Sequence, residues 1–255
     1  MDKIKVNEDV IKLLTSKNDP ALRRKVLRDL LDFPEDSLEA KQARESILQQ
    51  KWVVATLKGY NSDGTWGKSF YQKYRGTSWV LLHLSELEVP PTEEIHSGIQ
   101  YLLKTVKPVS NIKGMVGERF KGCESGLFWY YPIACLTAHM AAVLIRFGFL
   151  HHTVTQGALE TCRHLLDAEE GFECEVMDHS LQPACMMAVP KVLKTFLAIP
   201  KEDRTPKDLK MIKRLCSLLK KFRLYRYVVK DSQAWLKWAH QASSAQRRAA
   251  KPEWI

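Results

Sequence analysis

Cys135 and His139 stand four residues apart, a spacing that on a helix projects both side chains from one face, one turn from each other. Cys174 follows the glycine turn Glu170-Gly171-Phe172-Glu173, and Cys185 opens the next helical stretch. If successive helix pairs stack as repeats, those two cysteines fall at the same end of neighbouring units, and a Cys3His set converges on one rim. Its ligand types suit zinc, which would either staple the fold or convert a thiol into a thiolate nucleophile. Asp178 and His179, in the same loop, could replace any one ligand. The spacing matches no zinc-finger pattern. The competing reading, a satisfied core histidine beside three core thiols, stays open, because free cysteine is among the most buried residue types.

Aromatic residues form the second chemical signal. Trp66, Phe70, Tyr71, Tyr74 and Trp79 cluster in one stretch, and Phe128, Trp129, Tyr130 and Tyr131 in another. Such walls hold apolar chains or cations through area and ring quadrupole, and Trp66, Tyr74, Arg75, Trp79, Trp129 and Tyr131 are the candidate lining of a ligand cavity. Arg75 or Arg146 could grip a diphosphate. Rings at turn-to-helix junctions also glue one repeat to the next, so a purely structural role remains open for all of them. No nucleophile–base pair, phosphate-cradling glycine loop or dinucleotide fingerprint stands out.

The elements that must position these residues are helices. Over residues 1–58 two or three short ones are expected: Asn18-Asp19-Pro20 supplies a cap and a proline at the first helical position, and Pro34-Glu35-Asp36-Ser37 marks a second start. Residues 59–255 carry a repeat of helix pairs at about 77–106, 133–166 and 183–222. In each pair the first helix is mostly apolar around its circumference, as in Cys135 to Phe147 or Ala184 to Leu197. The second is apolar on one stripe, as in Ile95, Ile99, Leu102 and Val106, or Leu209, Ile212, Leu215 and Leu219. Gly148 is a natural stop, and Pro190 should kink the third inner helix. Fully shielded helices alternating with half-shielded ones imply two concentric layers, the pattern of an α/α barrel or toroid, or of a helical solenoid too short to close.

Short glycine- and aromatic-rich segments join the pairs, notably Asp63-Gly64-Thr65-Trp66-Gly67 and Glu169-Glu170-Gly171-Phe172-Glu173-Cys174. They resemble the acidic-Gly-x-aromatic turn of the squalene-cyclase and prenyltransferase repeat, and Tyr74-Arg75-Gly76-Thr77-Ser78-Trp79 resembles the start of an inner helix in it. Residues 131–140, 198–206 and 224–226 are similar to prokaryotic prenyltransferase-like or squalene-cyclase-like repeat proteins of the terpenoid cyclase and protein prenyltransferase superfamily. That resemblance implies an all-α fold, an α/α toroid with an N-terminal helical extension. It also implies that relatives continue beyond a segment like Lys251-Pro252-Glu253-Trp254. Here the toroid is then incomplete, or is closed by a protein partner or second copy, or the chain is a truncated product.

The resemblance does not carry cyclase chemistry with it. Protonation of an alkene needs the carboxylic acid of an Asp-x-Asp-Asp motif, and diphosphate ionisation needs the paired aspartates of Asp-Asp-x-x-Asp; the sequence has neither. The zinc-motif context of protein prenyltransferases is also missing. What remains is a non-cyclising toroid binding an apolar, isoprenoid-like ligand or a protein segment, with zinc as the candidate cofactor. Its rivals are a prenyl-diphosphate-dependent transferase and a helical scaffold.

Charge bears on the scaffold. The net +10 lies wholly in residues 201–255, which hold 15 Lys+Arg against 5 Asp+Glu, while residues 1–200 hold 24 of each. That basic stretch could be a solvated helix face, or could attract phosphates, anionic lipid or an acidic partner; a nucleic acid is disfavoured. With 45% hydrophobic and 27% charged residues the chain can bury a core. It has no signal-peptide h-region and no uncharged run of membrane-spanning length, so a cytoplasmic location is expected.

Overall fold

The computed structural model describes residues 8–15, 19–72, 74–109, 122–123, 125–129, 133–166, 171–172 and 188–221. They are mostly helical, with ten α-helices and a single two-stranded ribbon among them, and divide into two compact units, Met1–Lys104 and Thr105–Ile255. No helix among the described residues is long and apolar enough to cross a membrane.

Unit 1 contains α1 (Glu8–Leu14), α2 (Pro20–Asp29), α3 (Leu38–Leu48), α4 (Lys51–Lys58), α5 (Thr77–Glu86) and α6 (Glu93–Lys104). Local chemistry sets the starts. Asp19 accepts a hydrogen bond from the Leu22 amide at 3.0 Å with Pro20 in the first helical position, and Ser37 accepts from Ala40 at 3.3 Å. The helix pair expected at 77–106 is α5 and α6, which pack on each other within this unit. On α5 the run from Thr77 to Leu81 is buried together with Leu84 and Ser85, whereas α6 buries the stripe Ile95, Gly98, Ile99 and Leu102. Arg24 and Arg28 of α2 both bind Glu88, in the turn between α5 and α6, and Arg24 also reaches Glu35 at 2.7 Å.

Unit 2 contains β1 (Lys107–Pro108) and β2 (Leu127–Phe128), paired antiparallel, followed by α7 (Ala134–Arg146), α8 (Thr153–His164), α9 (Ala188–Ala198) and α10 (Pro206–Lys221). Gly148, at φ +86°, ends α7 in a Schellman arrangement, with the Phe149 amide donating to the Leu144 carbonyl at 2.8 Å and Gly148 to Ile145 at 3.0 Å. The α7–α8 and α9–α10 hairpins stack through α7 against α9, where the Thr195 hydroxyl donates to the Ala138 carbonyl at 2.8 Å. Eleven of the thirteen α7 residues are buried, so this helix is shielded around its circumference. By contrast α10 buries only Asp208, Met211, Leu215 and Leu218. The ribbon lies against α8 at Gly157, where a Cβ would meet the Leu127 side chain at 2.6 Å, and Thr161 donates to the Leu127 carbonyl at 2.9 Å.

Two expectations need adjusting. The third inner helix is one-sided in its described part: α9 buries Val189, Val192, Leu193 and Phe196 but exposes Lys194 and Leu197, because its lysines interrupt the apolar circumference. Pro190 falls in the first turn of the described helix, and the residues before Ala188 lie outside the described set.

Candidate functional site

The six expected cavity residues do not share one environment. Trp66 closes the Asp63-Gly64-Thr65 turn, in which Asp63 accepts from the Thr65 amide at 3.1 Å and hydroxyl at 2.6 Å. Its indole is buried, donates to the Thr56 carbonyl at 2.8 Å, meets Tyr60 edge-on at 5.1 Å and seats its six-membered ring against Gly98 of α6. Every one of these contacts ties segments of unit 1 together. The first-turn hydroxyls of α5 serve the same turn: Thr77 accepts from the Trp66 amide at 2.9 Å, and Ser78 donates to the Phe70 carbonyl at 2.9 Å.

Tyr74 and Trp79 do come together. Their ring centroids are 5.1 Å apart, Tyr71 lies 6.0 Å from Trp79, and Tyr74 stacks on the imidazole of His83 at 6.4 Å. Trp79 is buried, while Tyr71 and Tyr74 are 38% and 46% exposed, so the cluster offers two phenolic faces to solvent. Tyr74 sits at φ +64°, in the left-handed region that a bulky residue rarely occupies. Arg75 is exposed beside it. Burial pushes the His83 imidazole below its ordinary value, with Glu86 opposing, so the ring is biased toward its neutral form. Trp129 is fully buried in unit 2, and Tyr131 lies outside the described residues.

Of the zinc set, Cys135 is half-buried against the apolar core of unit 2 and His139 is buried, both on α7. Cys174 and Cys185, with the substitutes Asp178 and His179, lie outside the described residues. Among the described residues no group of three or more His, Cys, Asp or Glu side chains could hold a metal ion. Two other thiols are core groups: burial pushes Cys162 up to about 12 and raises Cys123 as well.

The surface of α10 is the most sharply defined chemical feature of unit 2. At 3.6 residues per turn, Lys207, Lys210, Lys213, Arg214, Lys220 and Lys221 fall within one arc of about 140° outside the buried sector, the five lysines exposed and Arg214 half-buried. The one acid of this helix, Asp208, is withdrawn beneath it. Its Oδ2 accepts from the amide and hydroxyl of Thr205 at 2.8 and 2.7 Å, and its Oδ1 receives Arg163 of α8 at 2.5 Å. Arg163 in turn lies over the Phe196 ring of α9, 5.3 Å from the centroid. Burial raises the Asp208 carboxyl, but the Thr205 and Arg163 hydrogen bonds outweigh it and hold the group below its ordinary value. The cationic arc of α10 therefore carries no compensating carboxylate, because the helix's only negative charge is spent inside the fold.

Sequence reading did not find this brace, although Thr205-Pro206-Lys207-Asp208 has the Thr-x-x-acid spacing of a capping box and could have signalled half of it. The Arg163 half had no local signal. Compared with models of protein families, with curated proteins and with solved structures, the chain matches none of them.

Proposed function

We propose that this chain is a helical-repeat docking protein that takes an anionic partner on the cationic face of α10, the two hairpins of unit 2 forming part of an α/α-toroid-like layer. The observation that carries this reading is the separation of charge: six cations on one arc, the five lysines exposed and Arg214 half-buried, and the sole acid of the helix buried against Arg163. A merely soluble surface has no need of such sorting, because interspersed charges of both signs serve solubility equally well. Surface ion pairs are individually weak, so a ridge of this kind works by summation and by steering encounter, and its binding is screened by salt. The test is binding of full-length protein to fluorescent poly-L-glutamate across a salt series. Affinity should fall steeply with ionic strength and should drop at least about tenfold in Lys210→Glu/Lys213→Glu/Lys220→Glu. Salt-sensitive binding that this triple variant leaves unchanged would refute the reading.

A second reading, binding of an apolar or isoprenoid-like ligand, is favoured by the exposed Tyr71 and Tyr74 rings set against buried Trp79. Quenching of tryptophan fluorescence by farnesol, lost in Tyr74→Ala, is its test. The zinc reading rests on Cys135 and His139 with Cys174 and Cys185, and elemental analysis of untagged protein against Cys135→Ser and Cys185→Ser decides it: about one zinc per chain, lost in both variants, is required.

A further inference from the structure

Beside its cationic arc, α10 carries a second stripe. Leu209, Ile212, Cys216 and Leu219 follow one another at spacings of three, four and three residues, the a/d spacing of a helix–helix seam. Leu209 is 53% exposed, and Ile212, Cys216 and Leu219 touch the core of unit 2 with only part of their surface. Lys213 and Lys220 each stand one residue after a seam position, at the e positions of the same heptads, with Lys210 and Arg214 farther round. A partly exposed apolar seam edged on one side by lysines, over a helix about 24 Å long, specifies the chemistry of what covers it.

Resting on the docking reading above, we infer that the occupant is an acidic amphipathic α-helix of a partner polypeptide, lying along α10 with its apolar stripe on Leu209, Ile212, Cys216 and Leu219 and its carboxylates toward Lys213 and Lys220. Three observations select it. The apolar seam has no use for a phosphate backbone, whereas a helix with apolar residues at the same spacing fills it. The arc of Lys207, Lys210, Lys213, Arg214, Ser217, Lys220 and Lys221 contains no aromatic ring on which a base could stack. The chain beyond Lys221 is itself basic, with seven Lys+Arg against two Asp+Glu, so its charge does not complement the ridge. Electrostatic pairing at e positions then sets partner choice and register, and the apolar stripe supplies the contact area.

The experiment compares four probes on full-length protein at one salt concentration. They are a 21-residue helical peptide with leucines at a and d and glutamates at the flanking positions, the same composition scrambled to destroy the stripe, a 20-base-pair DNA duplex, and vesicles of phosphatidylserine and phosphatidylcholine. The patterned peptide should bind at least about tenfold more tightly than the scramble, the duplex or the vesicles. Leu209→Asp and Lys213→Glu/Lys220→Glu should each remove that preference. Ser217→Lys, at an exposed position farther from the seam than Lys213 and Lys220, should alter the preference less than twofold while raising affinity for both peptides, and far-ultraviolet dichroism confirms that each variant is folded. If scrambled and patterned peptides bind alike but Lys213→Glu/Lys220→Glu weakens both, the helix inference fails and the anionic docking reading survives. Tighter binding of duplex or vesicles than of the patterned peptide likewise overturns the helix inference and spares the docking reading. A monomer–dimer equilibrium abolished by Leu209→Asp would make the occupant a second copy and overturn the inference. If no variant alters any binding, both readings fall.

Discussion

Gly98→Ala is the substitution in which two well-understood effects oppose each other and the structure decides between them. In the middle of α6, replacing glycine by alanine should stabilise the helix by about 1 kcal/mol through backbone entropy. At this site the new Cβ would stand 2.5 Å from Cζ3 of Trp66 and 3.3 Å from its Cη2, with Leu81 at 3.4 Å. The indole cannot swing clear without loss, because its nitrogen is tied to the Thr56 carbonyl and its edge to Tyr60. Forcing a methyl into a filled site costs about 1–3 kcal/mol, and breaking the Thr56 hydrogen bond adds about 1 kcal/mol. The net expectation is destabilisation by about 1–3 kcal/mol, read from urea denaturation followed by helix dichroism. Trp66→Phe supplies the control, since the smaller ring no longer reaches Gly98. In that background Gly98→Ala should be neutral or mildly stabilising, so the double-mutant cycle should show coupling of about 1–3 kcal/mol. Equal effects of Gly98→Ala in both backgrounds, or a wild-type background in which it stabilises, would refute the idea that Trp66 is held in place by α6.

Asp208→Ala should destabilise by about 2–4 kcal/mol in the same assay, combining a lost helix cap with a partly buried Arg163 left unpaired. Because the folded carboxyl lies below its ordinary value, its stabilisation is full above about pH 4 and is lost as pH falls through the folded value, so wild type and Asp208→Asn should converge in acid. For His83 the folded value is likewise depressed: the unfolded ring takes up its proton from about pH 6.5 downward while the folded ring resists, so stability should decline on acidification from about pH 7. That decline should flatten in His83→Gln, and a slope unchanged by the substitution would count against it. The Cys162 thiol, fully buried and pushed up to about 12, should resist iodoacetamide in native protein at pH 8 while half-buried Cys135 and Cys216 react, as peptide mass mapping would show.

The parts of the fold that were legible in the sequence are those governed by forces acting over a turn or two. Asp19-Pro20, Ser37 and Gly148 announce helix ends because the groups they satisfy are three or four residues away. The paired helices are visible because burial on one stripe or all round writes itself into apolar spacing, and α5, α6, α7 and α10 keep the expected contrast. The same periodicity is silent where a helix is buried on every side. Cys135 and His139 share a face of α7, but no face of α7 is marked out by polarity, so spacing cannot say whether they look toward a ligand or a neighbour. The fate of Trp66 was equally illegible, since its seat at Gly98 lies 32 residues along the chain and a glycine in a helix carries no label saying which ring it admits.

Long-range charge pairing explains the remaining gap and connects it to function. Arg24 and Arg28 find Glu88 across some sixty residues, and Arg163 finds Asp208 across forty-five. A count of charges treats Asp208 as partial compensation for the lysines around it. The fold instead turns that carboxylate inward, where Arg163 and Thr205 consume its hydrogen-bonding capacity, and leaves the α10 surface more cationic than composition suggests. Stability thus rests on Asp208, and docking on the lysines around it. Asp208→Asn weakens the brace without altering any exposed charge, so it should lower the unfolding free energy while leaving poly-L-glutamate binding within twofold of wild type. Lys213→Glu should do the reverse, and a variant pair failing to separate the two properties would show that the brace and the ridge are not independent.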